Sequence, residues 1–195
     1  MTLFLIFVRI FLSFLFRRLA MEFTIREAEI SDASAIRDIY GYYVANSFVT
    51  FSEVNGSIQD YEDSIVETKK AYPYIVACDE SGKVIGMAYA GQIRHHDAYK
   101  FSVESTIYTS PEVPKKAGIG RALYEELERR LSAIGYKYMY GVITDDNVAS
   151  IAFHKALGFE EVGHFTNIGY KFGEWKGIVW YRKQIGSLDD MTLKL

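Results

Sequence analysis

The sequence predicts a mixed α/β fold, a central sheet covered by helices, and three observations predict it. Strand-like and helix-like segments alternate along the chain, two adjacent apolar runs read as an antiparallel hairpin, and a long amphipathic helix opens at closely spaced glycines. Phe23 to Glu27 alternates apolar and polar side chains, as a half-buried strand does. Ser31-Asp32 supplies an N-cap for a helix on which Ile36, Ile39, Tyr40 and Tyr43 recur at helical spacing. The aromatic and β-branched stretch from Tyr42 to Phe51 ends it in a loop. A second helix is expected from Ser57 to Lys70, with Pro73 marking its end. The runs Tyr74 to Cys78 and Val84 to Ala90 flank Asp79-Glu80-Ser81-Gly82, turn chemistry that makes a hairpin. A strand at Phe101 to Thr109 follows. Ser110 to Ala117, with two prolines and two lysines, is irregular. Gly118-Ile119-Gly120 opens the long helix, whose apolar stripe is Ile119, Leu123, Leu127, Leu131 and Ile134 and whose C-terminal cap is Gly135. A strand Tyr138 to Ile143, a helix Asn147 to Leu157 stopped by Gly158, and strands Glu160 to Phe165 and Ile178 to Lys183 complete the order.

With 195 residues, 49% of them hydrophobic, the chain suits one domain with one packed core. Charges of both signs are interspersed around a formal net charge of -3, and no basic stripe exists that would neutralise a run of phosphates. Nucleic acid is therefore not an expected partner. The single cysteine, Cys78, sits in an apolar run and reads as a small buried hydrophobe in a reducing, cytoplasmic compartment. Residues 1–20 read as a hydrophobic leader. The stretch from Thr2 to Phe16 is shorter than the roughly 20 residues a membrane span needs and is broken by Arg9. Its charges follow the apolar run, against a signal peptide. The preferred reading starts translation at Met21; the alternative is a membrane-surface anchor helix. On the preferred reading a membrane is not a partner, residues 21–186 form the domain and residues 187–195 a C-terminal tail.

Two segments carry chemistry. Glycines at 118 and 120 let backbone approach a ligand without interference from Cβ. The helix they open aims unpaired N–H groups and a positive dipole end at an anion, and Lys115 and Lys116 add charge there. A pyrophosphate is the natural occupant. No Gly-Lys-Ser/Thr follows, so the Walker reading fails, and the spacing is not that of a dinucleotide fingerprint. Gly-x-Gly alone serves a plain tight turn equally well. The second segment runs from Asn147 through Ser150 and His154 to Gly158-Phe159. Asn147 can cap its helix, and a lone histidine on an apolar face is by default a packed residue with one hydrogen bond.

Together these segments, Lys115-Lys116-Ala117-Gly118-Ile119-Gly120 and Asn147 to Phe159, resemble the GNAT acetyltransferase superfamily. Within it the chain is most similar to the phosphinothricin N-acetyltransferase group, which includes methionine sulfoximine and sulfone acetyltransferases. That similarity rests on Phe51, Ala90-Gly91, Ala98-Tyr99, Val103 to Tyr108, His154 to Phe159 and Gly169 to Trp175. It runs in register from about Phe23 to Arg182. The resemblance implies a GNAT-type acyl-CoA N-acyltransferase fold with a central, splayed, mostly antiparallel sheet flanked by helices. It implies acetyl-CoA as cosubstrate, no metal, a small-molecule amine as acceptor, and a homodimer as one assembly. Pantetheine would thread the gap between the strands at 101–109 and 138–143, pairing with Ile107, Tyr108 and Thr109. The pyrophosphate would sit on the amides of Lys116, Ala117, Gly118, Ile119, Gly120 and Arg121, with Asn147 and Ser150 facing the cofactor. The first loop position carries Lys115 where the family usually has Gln or Arg.

Acetyl transfer to an amine needs a neutral amine, a polarised carbonyl and a protonated leaving thiolate. An α-amino group with pKa near ~8 is roughly a tenth deprotonated at neutral pH, and a weak base can supply the rest. Glu104 matches the base of the resembling family and lies mid-strand in an uncharged run; the alternative for it is an ion pair. His154 stands where many superfamily members carry a tyrosine acid, and serves as acid or as substrate ligand. A backbone N–H near Tyr108 would meet the oxyanion. Arg94, His96, Tyr99, Lys171 and Phe51 fall where the acceptor would bind, although Arg94 and Lys171 suit solvated surface charges as well. His96 replaces an arginine of the related enzymes, a departure that weakens bidentate carboxylate recognition. Trp175 and Trp180 read as core or interface. Competing readings are a GNAT enzyme for a peptide N-terminus or polyamine, and a non-catalytic coenzyme-A-binding sensor.

Overall fold

The computed structural model describes residues 21–194; the two readings of residues 1–20 lie outside it. Seven strands form one sheet in the order β1-β2-β3-β4-β5-β7-β6. They are β1 (Phe23–Glu27), β2 (Tyr74–Asp79), β3 (Val84–Gln92), β4 (Ser102–Thr109), β5 (Tyr138–Thr144), β6 (Glu160–Lys171) and β7 (Glu174–Gln184). Helices α1 (Ala33–Asn46) and α2 (Ile58–Thr68) precede β2, α3 (Ile119–Ile134) joins β4 to β5, and α4 (Val148–Ala156) joins β5 to β6. Every neighbouring pair is antiparallel except β4 and β5.

Period-two alternation divides the core. Tyr74, Val76 and Cys78 of β2 pack with Ile36, Ile39 and Ile65 of α1 and α2, while Ile75 and Ala77 pack with Leu123, Leu127 and Leu131 of α3. Cys78 is buried, and burial pushes its thiol pKa up, which suits a packing role. The stripe read for α3 is the buried one, and Gly135 closes the helix with φ +113. Beyond β7 the tail returns to this end: Leu193 packs on the core and the Lys194 N–H donates to the Ile134 carbonyl at 2.8 Å.

Two local expectations are corrected. Asp32 occupies the N-cap of α1 without a side-chain cap, because Arg26 donates to its carboxylate at 2.7 and 2.8 Å and the Glu29 N–H donates at 2.8 Å. Strands β6 and β7 extend far past Phe165 and start well before Ile178, meeting at Phe172-Gly173. Both turn residues have positive φ, +49 and +82, which matches the twist of a two-residue hairpin. Phe165, Ile168, Tyr170 and Trp175 are exposed there, so this arm carries no in-out alternation to announce it; Trp175, read as core or interface, is 60% exposed. No helix among the described residues is long and apolar enough to cross a membrane.

Candidate active site

The parallel ladder between β4 and β5 contains only Ser102↔Tyr138, Val103↔Met139 and Glu104↔Tyr140. Beyond it β4 stays paired with β3 as far as Thr109, and β5 with β7 as far as Thr144, so the two central strands part and leave facing edges free. At the parting point the Ser105 hydroxyl donates to the Tyr140 carbonyl at 2.8 Å, a side-chain bond where the ladder ends. A cavity of about 1170 Å³ fills the split and runs from Glu104 to the loop before α3.

That loop has the backbone shape and charge that suit an anion. Lys116 has φ +69 and Gly118 φ +86, so successive N–H groups turn inward, and no side chain caps the start of α3. A Cβ on Gly118 would meet nothing within 4 Å, and one on Gly120 nothing nearer than Phe153 at 3.7 Å and Ile107 at 3.8 Å. The bare face is open space toward the cavity rather than a packing need. Lys115, Lys116 and Arg121 surround it. Of the expected amides, that of Ala117 is spent on the Pro114 carbonyl at 3.2 Å, while those of Lys116 and Gly118 to Arg121 have no partner among the described residues; with the cations and the room beside them, they fit a diphosphate. The Oγ1 of Thr144, a cavity-lining residue 5% exposed, has no partner among the described residues, a further sign that the split accommodates a polar ligand.

On the other side of the split the lining is aromatic. Tyr108 meets Tyr40 edge-on at 5.0 Å between centroids and Tyr43 at 5.2 Å, and Tyr89 and Phe51 complete the wall. Tyr40 bonds Thr50 and Ser52 at 2.7 and 2.8 Å, and Tyr43 donates to the Thr109 carbonyl at 2.8 Å, so α1 is tied to both the Phe51 loop and β4. Glu104 projects into this space half-buried. Burial raises its pKa above the ordinary carboxylate value while Arg94, acting at a distance, opposes the rise. No ion pair involves it among the described residues, so the alternative weighed for it does not hold in this geometry.

His154 is 2% exposed and flanks the cavity from α4. Its Nδ1 lies 2.8 Å from the Ser150 carbonyl oxygen and its Nε2 2.9 Å from the Tyr124 hydroxyl. Burial lowers the imidazole pKa and the Ser150 carbonyl partly restores it. Asn147 caps α4, its Oδ1 accepting from the Ser150 N–H at 3.1 Å.

Glu104, Ile107, Tyr108, Thr109, the 115–121 loop, Asn147, Ser150, His154 and Phe51 all line this cavity. Four expected acceptor contacts do not. Arg94, His96 and Tyr99 lie exposed on the segment between β3 and β4, outside the lining. Lys171 is 1% exposed, and its ammonium donates to the Ser47 and Thr50 carbonyls at 2.9 Å each. It buttresses the loop that carries Phe51 and is not part of the cavity lining. Sequence reasoning missed Tyr124, Gly141, Thr144 and Tyr89; Tyr124 follows Leu123 on the buried face of α3, where an aromatic residue reads as core. Among the described residues no group of three or more His, Cys, Asp or Glu side chains is placed to hold a metal ion.

Comparison with known proteins agrees with this geometry. The family model described as acetyltransferase (GNAT) domain matches residues 25–180. Phosphinothricin N-acetyltransferase of Streptomyces viridochromogenes is 34% identical over 159 residues, covering 82% of this chain and 86% of that protein. The L-methionine sulfoximine/L-methionine sulfone acetyltransferase of Pseudomonas aeruginosa is 32% identical over 156 residues, covering 80% and 90%. The crystal structure of a GNAT superfamily phosphinothricin acetyltransferase from Sinorhizobium meliloti in complex with acetyl-CoA superposes with a TM-score of 0.84 at 38% identity, covering 89% of this chain and 95% of that one.

Proposed function

The chain belongs to the GNAT acetyltransferase family, and from that premise we propose that it transfers the acetyl group of acetyl-CoA to the primary amine of a small amino-acid-like acceptor. Phosphinothricin and methionine sulfoximine or sulfone, the acceptors named for its relatives, define the class. The observation that carries the reading is the split between β4 and β5, which joins an anion-holding loop at one end to a raised-pKa carboxylate at the other.

Acetyl-CoA, when bound, supplies an activated acetyl group and a thiolate leaving group. The amides of Lys116 and of Gly118 to Arg121 hold its diphosphate, helped by the side chains of Lys115 and Lys116. The free edge of β4 at Ile107, Tyr108 and Thr109 orients the pantetheine arm, and a main-chain N–H near Tyr108 polarises the carbonyl. Glu104 accepts the amine proton, for which a pKa raised toward neutrality suits it. The aromatic wall of Phe51, Tyr40, Tyr89 and Tyr108 excludes water from the acceptor. With Lys171 committed to backbone carbonyls, Arg94 is the cation that acts electrostatically on Glu104, which makes it our candidate for the acceptor's carboxylate. The test is a screen of phosphinothricin, methionine sulfoximine, methionine sulfone and ordinary amino acids with acetyl-CoA, read by free-thiol release. Turnover with one of the amino-acid-like amines is expected, and thiol release with polyamines or peptide N-termini alone would overturn the acceptor class.

A further inference from the structure

Both nitrogens of His154 are already engaged. The Ser150 carbonyl can only accept, so Nδ1, 2.8 Å away, carries the hydrogen, and in the neutral ring Nε2 accepts from the Tyr124 hydroxyl at 2.9 Å. The Ser105 hydroxyl spends its hydrogen on the Tyr140 carbonyl at 2.8 Å. It also stands 3.0 Å from the Tyr124 oxygen. That last contact joins two oxygens whose hydrogens both point elsewhere. A proton added at Nε2 reverses the run, from Nε2–H to Tyr124, from Tyr124 to Ser105 and from Ser105 to Tyr140, with a hydrogen in every link. The neutral cluster is one proton short of complete hydrogen bonding, and it ends where β4 and β5 part.

We propose that Tyr124 is a relay between His154 and the split of the sheet, so that the phenol and not the buried imidazole faces the leaving sulfur. This rests on the acetyl-transfer reading. Tyr124 gives its hydroxyl hydrogen to the sulfur, forming S–H as the C–S bond breaks, and its oxygen takes the Nε2 hydrogen of the imidazolium. The phenol ends neutral, His154 returns to the Nδ1–H form, and the product is the free thiol. The proton that Glu104 takes from the amine passes to solvent and balances the one that recharges His154. Among the described residues the titratable groups packed against His154 are Tyr124 from α3 and Tyr181 from β7, whose hydroxyl is bound to Glu161 and whose ring lies under Lys155; Phe153 and Phe159 fill the rest of its surroundings. Glu104 acts on Tyr124 from β4.

Tyr124→Phe tests the relay, because it keeps the ring packed edge-on against Phe153 and the thermal melt checks the fold. In the ligand-free protein, nitrogen-15 NMR of His154 should show the Nδ1–H tautomer in the parent and a titration displaced to lower pH in Tyr124→Phe. With acetyl-CoA and methionine sulfone, kcat should fall about 100-fold while the calorimetric affinity for acetyl-CoA stays within about twofold. His154→Asn should cost a similar factor, and the double variant little more, since residues acting as a unit are not additive. Ser105→Ala should give a smaller loss in the same direction. An unchanged His154 titration, or losses that multiply in the double variant, would overturn the proposal. If the parent acetylates no amine while the NMR coupling is present, it is the transfer reading that fails.

Discussion

A methyl group on Gly141 would fall 2.7 Å from Nε2 of His154 and 3.0 Å from its Cδ2, so the bare backbone of β5 is what makes room for the imidazole. The glycine and the histidine are thirteen residues apart in sequence and belong to different elements, β5 and α4. Gly141→Ala should displace the ring from Tyr124 and lower kcat by about 10- to 100-fold, at a stability cost of about 1–3 kcal/mol from overpacking. Steady-state kinetics beside a denaturant melt separate the two effects; an alanine variant with parental kcat would show that the ring position is immaterial.

Gly120 answers a different need. A Cβ there meets Phe153 and Ile107 only at ordinary contact distance, so Gly120→Val should fold. Its methyl groups crowd the amides that hold the diphosphate, and titration calorimetry should find acetyl-CoA binding weakened by about 100-fold or more, on the order of 3 kcal/mol. Unchanged affinity in a folded variant would remove the diphosphate from this loop.

The carboxyl of Glu104 fixes the pH dependence. A base works only when ionised, and burial raises its pKa above the ordinary value, so kcat/KM should climb with pH through that raised value. Glu104→Gln should abolish this acidic limb and lower kcat by about 100-fold or more, with acetyl-CoA affinity nearly unchanged. Equal losses in turnover and cofactor affinity would contradict the role of base.

Lys171 makes a prediction about the acceptor without touching it. Replacing it by methionine leaves the Ser47 and Thr50 carbonyls without their donor and should cost about 1–3 kcal/mol. The Phe51 ring lies against Gly169, so slackening of the loop should raise KM for the acceptor several-fold and leave acetyl-CoA affinity intact. A direct acceptor contact would instead be lost only for carboxylate-bearing amines, which a comparison of methionine sulfone with its amide distinguishes.

Periodicity carried most of the fold. The apolar run of β2 was legible because both its faces are buried, and the stripe of α3 because one of its faces is. The outer arm of β6 and β7 was not, since its large apolar side chains are exposed while Lys171 is buried, and its turn uses Phe172 in place of Asn or Gly. At the site, local pattern and family resemblance named the glycine loop, Glu104 and His154, which the fold brings to one cavity. Tyr124 was invisible, because its partners Ser105 and His154 come from other elements and only packing brings them within hydrogen-bonding distance. The misreading of Lys171 has the same origin: a lysine on an exposed hairpin looks solvated until the fold lays the 47–50 carbonyls over it. Arg94 and Lys171 look alike in sequence, and only tertiary contacts separate them.

The most direct measurement is a crystal structure of the chain with acetyl-CoA. It should place the diphosphate on the amides of Lys116 and of Gly118 to Arg121, the pantetheine arm along the free edge of β4 and the thioester beside Glu104 and Tyr124. A nucleotide bound outside the split, or a thioester directed away from Glu104, would contradict the account.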